Sequence, residues 1–337
     1  MKQKILKIMA LAITLLSLIV ACGSDDVNDG NGKSSTTETM KTAILTNDGY
    51  FDGLLYYNVT SNSTAEVSVV KAEKSAVKID IPNTIKIDGT VYKCTSIGMS
   101  AFRYCSSLTS LTISNSVTTI GEEICEGCST LVSLTIGKSV TSIGKEAFKG
   151  CALTSINIPN SVKTIGNGAF SMCRGLTSIT IPSSVTSIGS RVLSDCSALT
   201  TITVDSNNNV YDSREGCNAI INSSSDELVA GCKKTIIPNS VKSIGKGAFY
   251  ECAGLATIDI PNNVTAIGES AFEGCSGLTS IRCKAHTPPS FGYCSFGYYS
   301  GGDNSIYYNA ILYVPIGTLS TYKNTDGWKD FKNIIEE

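Results

Sequence analysis

The sequence predicts a β-rich solenoid: short strands and turns stacked coil on coil, closed by a β-type cap at the N-terminal end and a short helical cap at the other. Three observations predict it. Ile-Gly pairs begin at 97, 120, 143, 165, 188, 244 and 267, separated by 23, 23, 22, 23, 56 and 23 residues. The residues around each pair recur: Ile165-Gly166, Ala169-Phe170, Cys173, Leu176, Ile179, Ile181-Pro182, Val185 returns as Ile244-Gly245, Ala248-Phe249, Cys252, Leu255, Ile258, Ile260-Pro261, Val264. Glycine in every unit, and often proline, excludes long helices. One such unit cannot bury its apolar face alone, so neighbours must stack.

Within a unit, Leu176-x-x-Ile179-x-Ile181 ends in strict alternation, which sends Ile179 and Ile181 inward on a short strand. Pro182 has no N–H to donate and ends the ladder. The glycine of each Ile-Gly pair is read as a turn residue. The regular coils span 97–285. The 56-residue gap holds a modified, hairpin-like repeat at 204–237, where Cys217-Asn218-Ala219-Ile220-Ile221 and Leu228-Val229-Ala230-Gly231-Cys232 flank Asn222-Ser223-Ser224. Residues 43–96 read as the β-rich N-terminal cap, with strand-like runs at Leu54-Leu55-Tyr56-Tyr57 and Glu66–Val70, and with Ile79-Asp80-Ile81-Pro82 imitating the repeat strand. Residues 286–337 read as the C-terminal cap. Ile311–Val314 is its strand, and Trp328, Phe331, Ile334 and Ile335 fall at helical spacing.

A period of 20–29 residues with leucine, isoleucine and one cysteine per unit is the signature of leucine-rich repeats. The order here, cysteine, Leu, Ile, Ile-Pro, Val, Ile-Gly, Ala-Phe, resembles the BspA-like, or Treponema pallidum-type, subfamily from about Ile97 to Arg282. Departures are few: Ile124-Cys125 and Val192-Leu193 stand for Ala-Phe, and the unit at Ala152-Leu153 is one residue short. The resemblance implies a leucine-rich-repeat solenoid used for attachment to host proteins and other bacteria.

The N-terminus predicts export. Lys2, Lys4 and Lys7 precede an apolar run from Ile8 to Ala21, too short to span a bilayer, so residues 1–21 read as a signal peptide. Ile19-Val20-Ala21-Cys22 resembles a bacterial lipobox, which implies lipidation at Cys22 and a partner membrane reached through that lipid. Gly23-Ser24-Asp25-Asp26 resembles the surface-export signal of Bacteroidetes lipoproteins, so the expected location is the outer membrane, lipid-anchored and exposed at the cell surface. Residues 22–42 are small and polar, a flexible tether. Beyond Ala21 the chain has 24 basic against 29 acidic residues, a net −5, with no basic block, so nucleic acid is not an expected partner.

Fourteen cysteines in an exported chain raise the question of disulfides. Seven of them, Cys105, Cys128, Cys151, Cys173, Cys196, Cys252 and Cys275, hold one repeat register, which reads as a column of buried thiols acting as small hydrophobes. Cys125-x-x-Cys128 has metal or redox spacing, yet both positions are core positions of the repeat. Cys217 and Cys232 flank the hairpin, and a bridge between them is an open alternative. Cys283-x-x-His286 lacks convincing partner ligands for zinc. His286 is the only histidine, which leaves histidine-dependent triads little room. The chain reads as a binding protein, not an enzyme, with no cofactor and no metal.

Strand alternation exposes one column of Thr112, Thr135, Asn157, Thr180, Thr203, Asp259 and Arg282 beside a column of small hydroxyl residues. That face is the first candidate for binding proteins of the host matrix or of other cells. Binding of glycans or capture of nutrients is the alternative. The second candidate is the aromatic and glycine-rich stretch from Phe291 to Tyr308, centred on Tyr298 and Tyr299. It shows no repeat pattern and reads as a long loop, which either seals the end of the solenoid or makes contacts of its own.

Overall fold

The computed structural model describes residues 40–297 and 305–337. Regular coils contribute short strands to two sets of parallel ladders. The Leu-x-x-Ile-x-Ile segment forms the first, as in Ser178–Ile181 beside Thr201–Val204 and Thr257–Ile260 beside Ser280–Cys283. The Ile-Gly segment forms the second, pairing Ile97 with Ile120, Ile120 with Ile143, Ile143 with Ile165, and Ile165 with Ile188. The register moves by one repeat at each step, so identical positions stack.

That stacking builds the core as columns. Leu108, Leu131, Leu153, Leu176, Leu199, Leu255 and Leu278 are all buried, as are Phe102, Phe148, Phe170, Phe249 and Phe272. Phe148 and Phe170 lie nearly parallel with centroids 5.9 Å apart, and Phe249 and Phe272 stack at 5.0 Å. Such ring pairs add to what area burial alone contributes. The backbone beside the rings is paired across coils: the Phe148 and Phe170 N–H groups donate to Ala169 and Val192 carbonyls at 2.9 and 3.1 Å.

The cysteine column has a specific reason for being cysteine. Cys128 Sγ donates to the Phe102 carbonyl at 3.0 Å, Cys173 to Phe148 at 3.2 Å, Cys196 to Phe170 at 3.2 Å and Cys275 to Phe249 at 3.0 Å. Each of these four thiols fills a small apolar site and meets a carbonyl of the coil before it, which a valine could not do, whereas Cys252 of the same column is only half-buried, against the expectation of seven buried thiols. Cys125 stands at a phenylalanine position, and its carbonyl accepts from Cys151 Sγ at 3.3 Å. Burial pushes the Cys173 thiol up to about 12 and raises Cys125, Cys151, Cys196 and Cys275 well above the ordinary thiol range. These thiols stay protonated and poorly reactive at neutral pH. Cys217 and Cys232 are both buried as free thiols, with Sγ atoms turned to the carbonyls of Ala219 and Asn218.

The role expected for the Ile-Gly glycine requires correction. Gly121, Gly144, Gly166 and Gly189 do not adopt positive φ. A Cβ on Gly144 would lie 2.5 Å from the Gly121 carbonyl carbon, and one on Gly166 2.5 Å from the Lys145 nitrogen. Glycine is required there because consecutive coils touch backbone to backbone. The left-handed turn lies two residues later, at Glu123, Glu146, Gly168 and Arg191, with φ between 52° and 58°.

At the N-terminal end, Thr42–Thr46, Gly49–Phe51, Leu55–Ser61, Glu66–Ala72, Thr84–Ile87 and Thr90–Ile97 pair in a ring that returns to its last strand. This closure leaves no free edge among the six strands. The second half of Thr90–Ile97 carries the repeat strands on one edge, pairing Ile97 with Ile120, so ring and ladder form one ten-stranded sheet.

The long gap forms an antiparallel hairpin, Ala219–Asn222 against Glu227–Gly231, preceded by Tyr211–Asp212. The hairpin is stitched to its neighbours by side chains. The Ile188 N–H donates to the Tyr211 hydroxyl at 3.0 Å. Arg214 grips Asp212 through Nε and Nη2 and reaches Asp226 through Nη1, while Lys242 of the next coil pairs with Asp226 at 2.9 Å.

The C-terminal end differs from expectation twice. Residues 290–296 are not a loop outside the repeat. Ser290–Phe291 pairs in parallel with Ala266–Ile267, and Phe296 stacks on Phe272 at 4.7 Å, so Phe291-Gly292 and Ser295-Phe296 take the Ile-Gly and Ala-Phe places of one more coil. The boundary expected at 286 therefore falls inside a coil. Nor are Ile334 and Ile335 helical: Asn333–Glu336 is a strand in parallel register with Ile311–Val314. The expected spacing spans a change of element, because Trp328–Asp330 is a 3₁₀ turn and the chain is extended at Phe331. Two short helices, Ser305–Asn309 and Leu319–Asn324, accompany these strands. Trp328, fully buried, donates its indole N–H to the Pro289 carbonyl at 2.8 Å and packs with Phe291, Phe296 and Phe331. Aromatic rings therefore seal this end of the core.

Candidate binding face

The exposed column on the first set of strands is where the sequence places most candidate residues. Parallel register sets Thr112 beside Thr135, Thr180 beside Thr203, and Asp259 beside Arg282. The column does not run unbroken. The 22-residue unit forms no strand where Asn157 lies; its missing residue falls just before that segment, between Cys151 and Leu153. The hairpin separates Thr203 from Asp259. The face is therefore three sheets, not one.

The three differ in chemistry. On the first two, the outward residues are mostly small hydroxyls. Thr180 and Thr203 share a hydrogen bond at 2.9 Å, and Thr109 and Thr200, just before their strands, donate to Val77 and Thr177 carbonyls of the preceding coil. Ser and Thr are thus ladder residues as much as surface residues. Asp80, which the sequence reading leaves off the column, extends it next to Thr112 and pairs with Lys78 at 2.9 Å.

The third sheet concentrates the charged and aromatic groups. Tyr313 aligns with Arg282, and Ile335 aligns with Tyr313. The Arg282 guanidinium lies 4.8 Å from the Tyr313 ring centroid and donates Nε to Glu337 at 2.6 Å. Lys284 pairs with Asp259 at 2.8 Å, and Ile335 is 46% exposed. A signal for Tyr313 exists in the sequence: Leu312-Tyr313-Val314-Pro315 has the pattern of Ile258-Asp259-Ile260-Pro261 with every core residue changed. Ile335 has no such signal, since no proline follows it.

Cys22, Tyr298 and Tyr299 lie outside the described residues. Around them, Phe296 and Ile306 are buried and Tyr307 packs edge-on against Phe331, whereas Tyr293 and Tyr308 are exposed. Elsewhere, Glu123, Glu126 and Glu146 converge, but Arg103 pairs with Glu126 at 2.6 Å and Lys149 with Glu146 at 2.7 Å, so cations of the chain itself occupy the cluster. Among the described residues, no helix is long and apolar enough to cross a membrane.

Stacked coils in one-repeat register, a thiol column bonded coil to coil and a strand face open to solvent define a leucine-rich-repeat solenoid. The chain belongs to the BspA type leucine rich repeat family, which matches residues 95–217 and 221–314 in six copies. The match reaches past Arg282, in line with the additional coil at Phe291. Among solved structures, the chain is similar to a leucine-rich repeat protein from Bacteroides ovatus at 25% identity and TM-score 0.57, covering 84% of this chain and 75% of that one. It is similar to the pneumococcal vaccine antigen PcpA at 15% identity and TM-score 0.52, covering 88% and 99%. The T. pallidum leucine rich repeat protein TpLRR matches at 24% identity and TM-score 0.47, covering 67% and 88%. No curated protein matches the chain.

Proposed function

We propose that the chain is a lipid-anchored surface protein that binds proteins of the host matrix or of other cells through its exposed strand face, and that it is not an enzyme. Membership in a leucine-rich-repeat family supports protein binding in general, since solenoids offer extended surfaces on rigid strands. The observation that carries the particular reading is the third sheet. Arg282 over Tyr313, with exposed Ile335 and the Asp259–Lys284 pair alongside, groups the residue types that anchor protein contacts. The hydroxyl-rich sheets serve as flanking surface.

The test is binding of the detergent-solubilised chain to a panel of purified extracellular-matrix proteins, with Arg282→Ala/Tyr313→Ala as the comparison. Loss of both anchors is expected to weaken the bound partner by about tenfold or more, since each such anchor is worth roughly 1–2 kcal/mol. The unfolding midpoint should barely move, because both side chains are surface groups. Equal binding by the variant and the parent places the contact elsewhere.

Anchoring is tested separately. Cys22→Ser should abolish lipid attachment, leaving the chain unprocessed or released from membranes. A variant that is processed normally and still partitions with membranes contradicts the anchor.

A further inference from the structure

The ladder that joins the coils is interrupted once beside the phenylalanine column. From coil to coil, N–H groups at the left-handed turn and at the phenylalanine position donate to the next coil: Glu146 to Asn167, Gly168 to Ser190, Phe148 to Ala169, Phe170 to Val192, Gly247 to Glu269 and Phe249 to Ala271. Between the coil of Gly189 and the coil of Gly245, the matching bonds from Arg191 to Lys246 and from Leu193 to Ala248 are missing, and Ala248 gives its carbonyl to Gly231 of the hairpin instead. Backbone bonding between the two coils resumes where the Asp195 N–H donates to the Tyr250 carbonyl at 3.3 Å. The hairpin has wedged them apart, and a cavity of about 400 Å³ opens there, within the range of small-ligand sites.

Its lining is basic and polar. Lys145, Lys149, Arg191 and Lys246 contribute four positive charges, and Glu146 and Glu251 contribute the carboxylates. Glu146 is held by Lys149 at 2.7 Å, and Lys246 pairs with Glu269 at 2.8 Å. Burial raises the Glu251 carboxyl, and the nearby Asp195 raises it further. Arg191 is different: among the described residues it makes no ion pair. Its guanidinium lies 4.0 Å from the Tyr250 ring centroid, and its Nε is buried without a hydrogen-bond partner. Ser194, 8% exposed, also lines the cavity and carries a hydroxyl buried without a partner. Both of those atoms lie beneath the cavity wall, so the groups Arg191 offers to the cleft are its terminal guanidinium nitrogens.

We propose that this cleft binds an acidic sugar, with its carboxylate or sulfate on the Arg191 and Lys246 side chains and its ring hydroxyls on the polar wall of Asn167 and Ser190. Glu269 feels the Arg191 charge but does not pair with it directly, and an oxyanion matches a planar guanidinium that makes no ion pair of its own. The cavity exceeds what a bare inorganic anion fills, and hydroxyl-bearing walls suit a sugar ring. The site lies apart from the Arg282–Tyr313 face, so this activity is additional to the protein binding proposed above.

The experiment is titration of the detergent-solubilised full chain with glucuronic acid, glucosamine 6-sulfate, glucose and inorganic sulfate, read by calorimetry. Saturable binding of the acidic sugars, about tenfold or more tighter than glucose and than sulfate, is expected from one charge-assisted, two-point contact. Arg191→Gln should remove that preference. Because Arg191 also stacks on Tyr250, Lys246→Gln serves as the variant that leaves the core untouched, and it should weaken the acidic sugars several-fold without changing glucose. Preference between glucuronic acid and the sulfated sugar identifies which oxyanion the site favours. Binding of glucose equal to that of the acidic sugars overturns the proposal. So does sulfate binding as tightly as either acidic sugar, no binding by any of the probes, or an unaltered preference in a folded Lys246→Gln chain.

Discussion

Gly144→Ala is expected to destabilise the repeat domain by about 3 kcal/mol or more, at or beyond the upper end of ordinary overpacking. The added methyl would sit 2.5 Å from the Gly121 carbonyl carbon, and the obstacle is the backbone of the preceding coil, with no rotamer to yield. The comparison that gives the result its meaning is Gly98→Ala. Gly98 holds the same motif position after Ile97, but it stacks on the N-terminal ring, and its Cβ would meet nothing closer than 3.5 Å. Guanidinium unfolding of the two variants should therefore diverge, with Gly98→Ala close to the parent. Equal midpoints for Gly144→Ala and the parent would mean that consecutive coils are not in backbone contact.

Phe170→Ala is expected to cost about 3–5 kcal/mol, the range for removing a buried aromatic ring. Phe170 has no exposed surface, stacks on Phe148, and its carbonyl accepts the Cys196 thiol. The cavity would open in the middle of a stack whose cooperativity passes only between neighbours. Unfolding should then cease to be a single transition, and hydrogen exchange should rise first in the coils on either side of Phe170. A single transition with the parent midpoint would place Phe170 outside the core and break the repeat frame built on it.

Much of this architecture is legible because each unit repeats the same local instruction. The spacing of Ile-Gly pairs, the alternation before each proline and the shared register of seven cysteines identify core columns without any knowledge of contacts. Phe291-Gly292 and Ser295-Phe296 escaped that reading although they keep the spacing of the motif, because an aromatic residue replaces isoleucine and serine replaces alanine. Trp328, Phe331, Ile334 and Ile335 misled for the opposite reason: their spacing fits a helix, while the partner that makes Asn333–Glu336 a strand, Ile311–Val314, is supplied by pairing across some twenty residues.

Of the candidate face, sequence determined which residues alternate outward, and therefore Thr112, Thr135, Thr180, Thr203, Asp259 and Arg282. Only tertiary structure decided that they lie on three separate sheets, that Arg282 lies over Tyr313, and that Arg191, among the described residues, lines a cleft without an ion pair where the hairpin parts two coils. The reason is the range of the forces concerned. Burial of a periodic apolar stripe is written into every unit and repeats with it, so it can be read from one chain. Backbone contact at Gly144, a broken ladder at Arg191 and a stacked cation at Tyr313 depend on what a distant segment places opposite, and a period in the sequence does not record that.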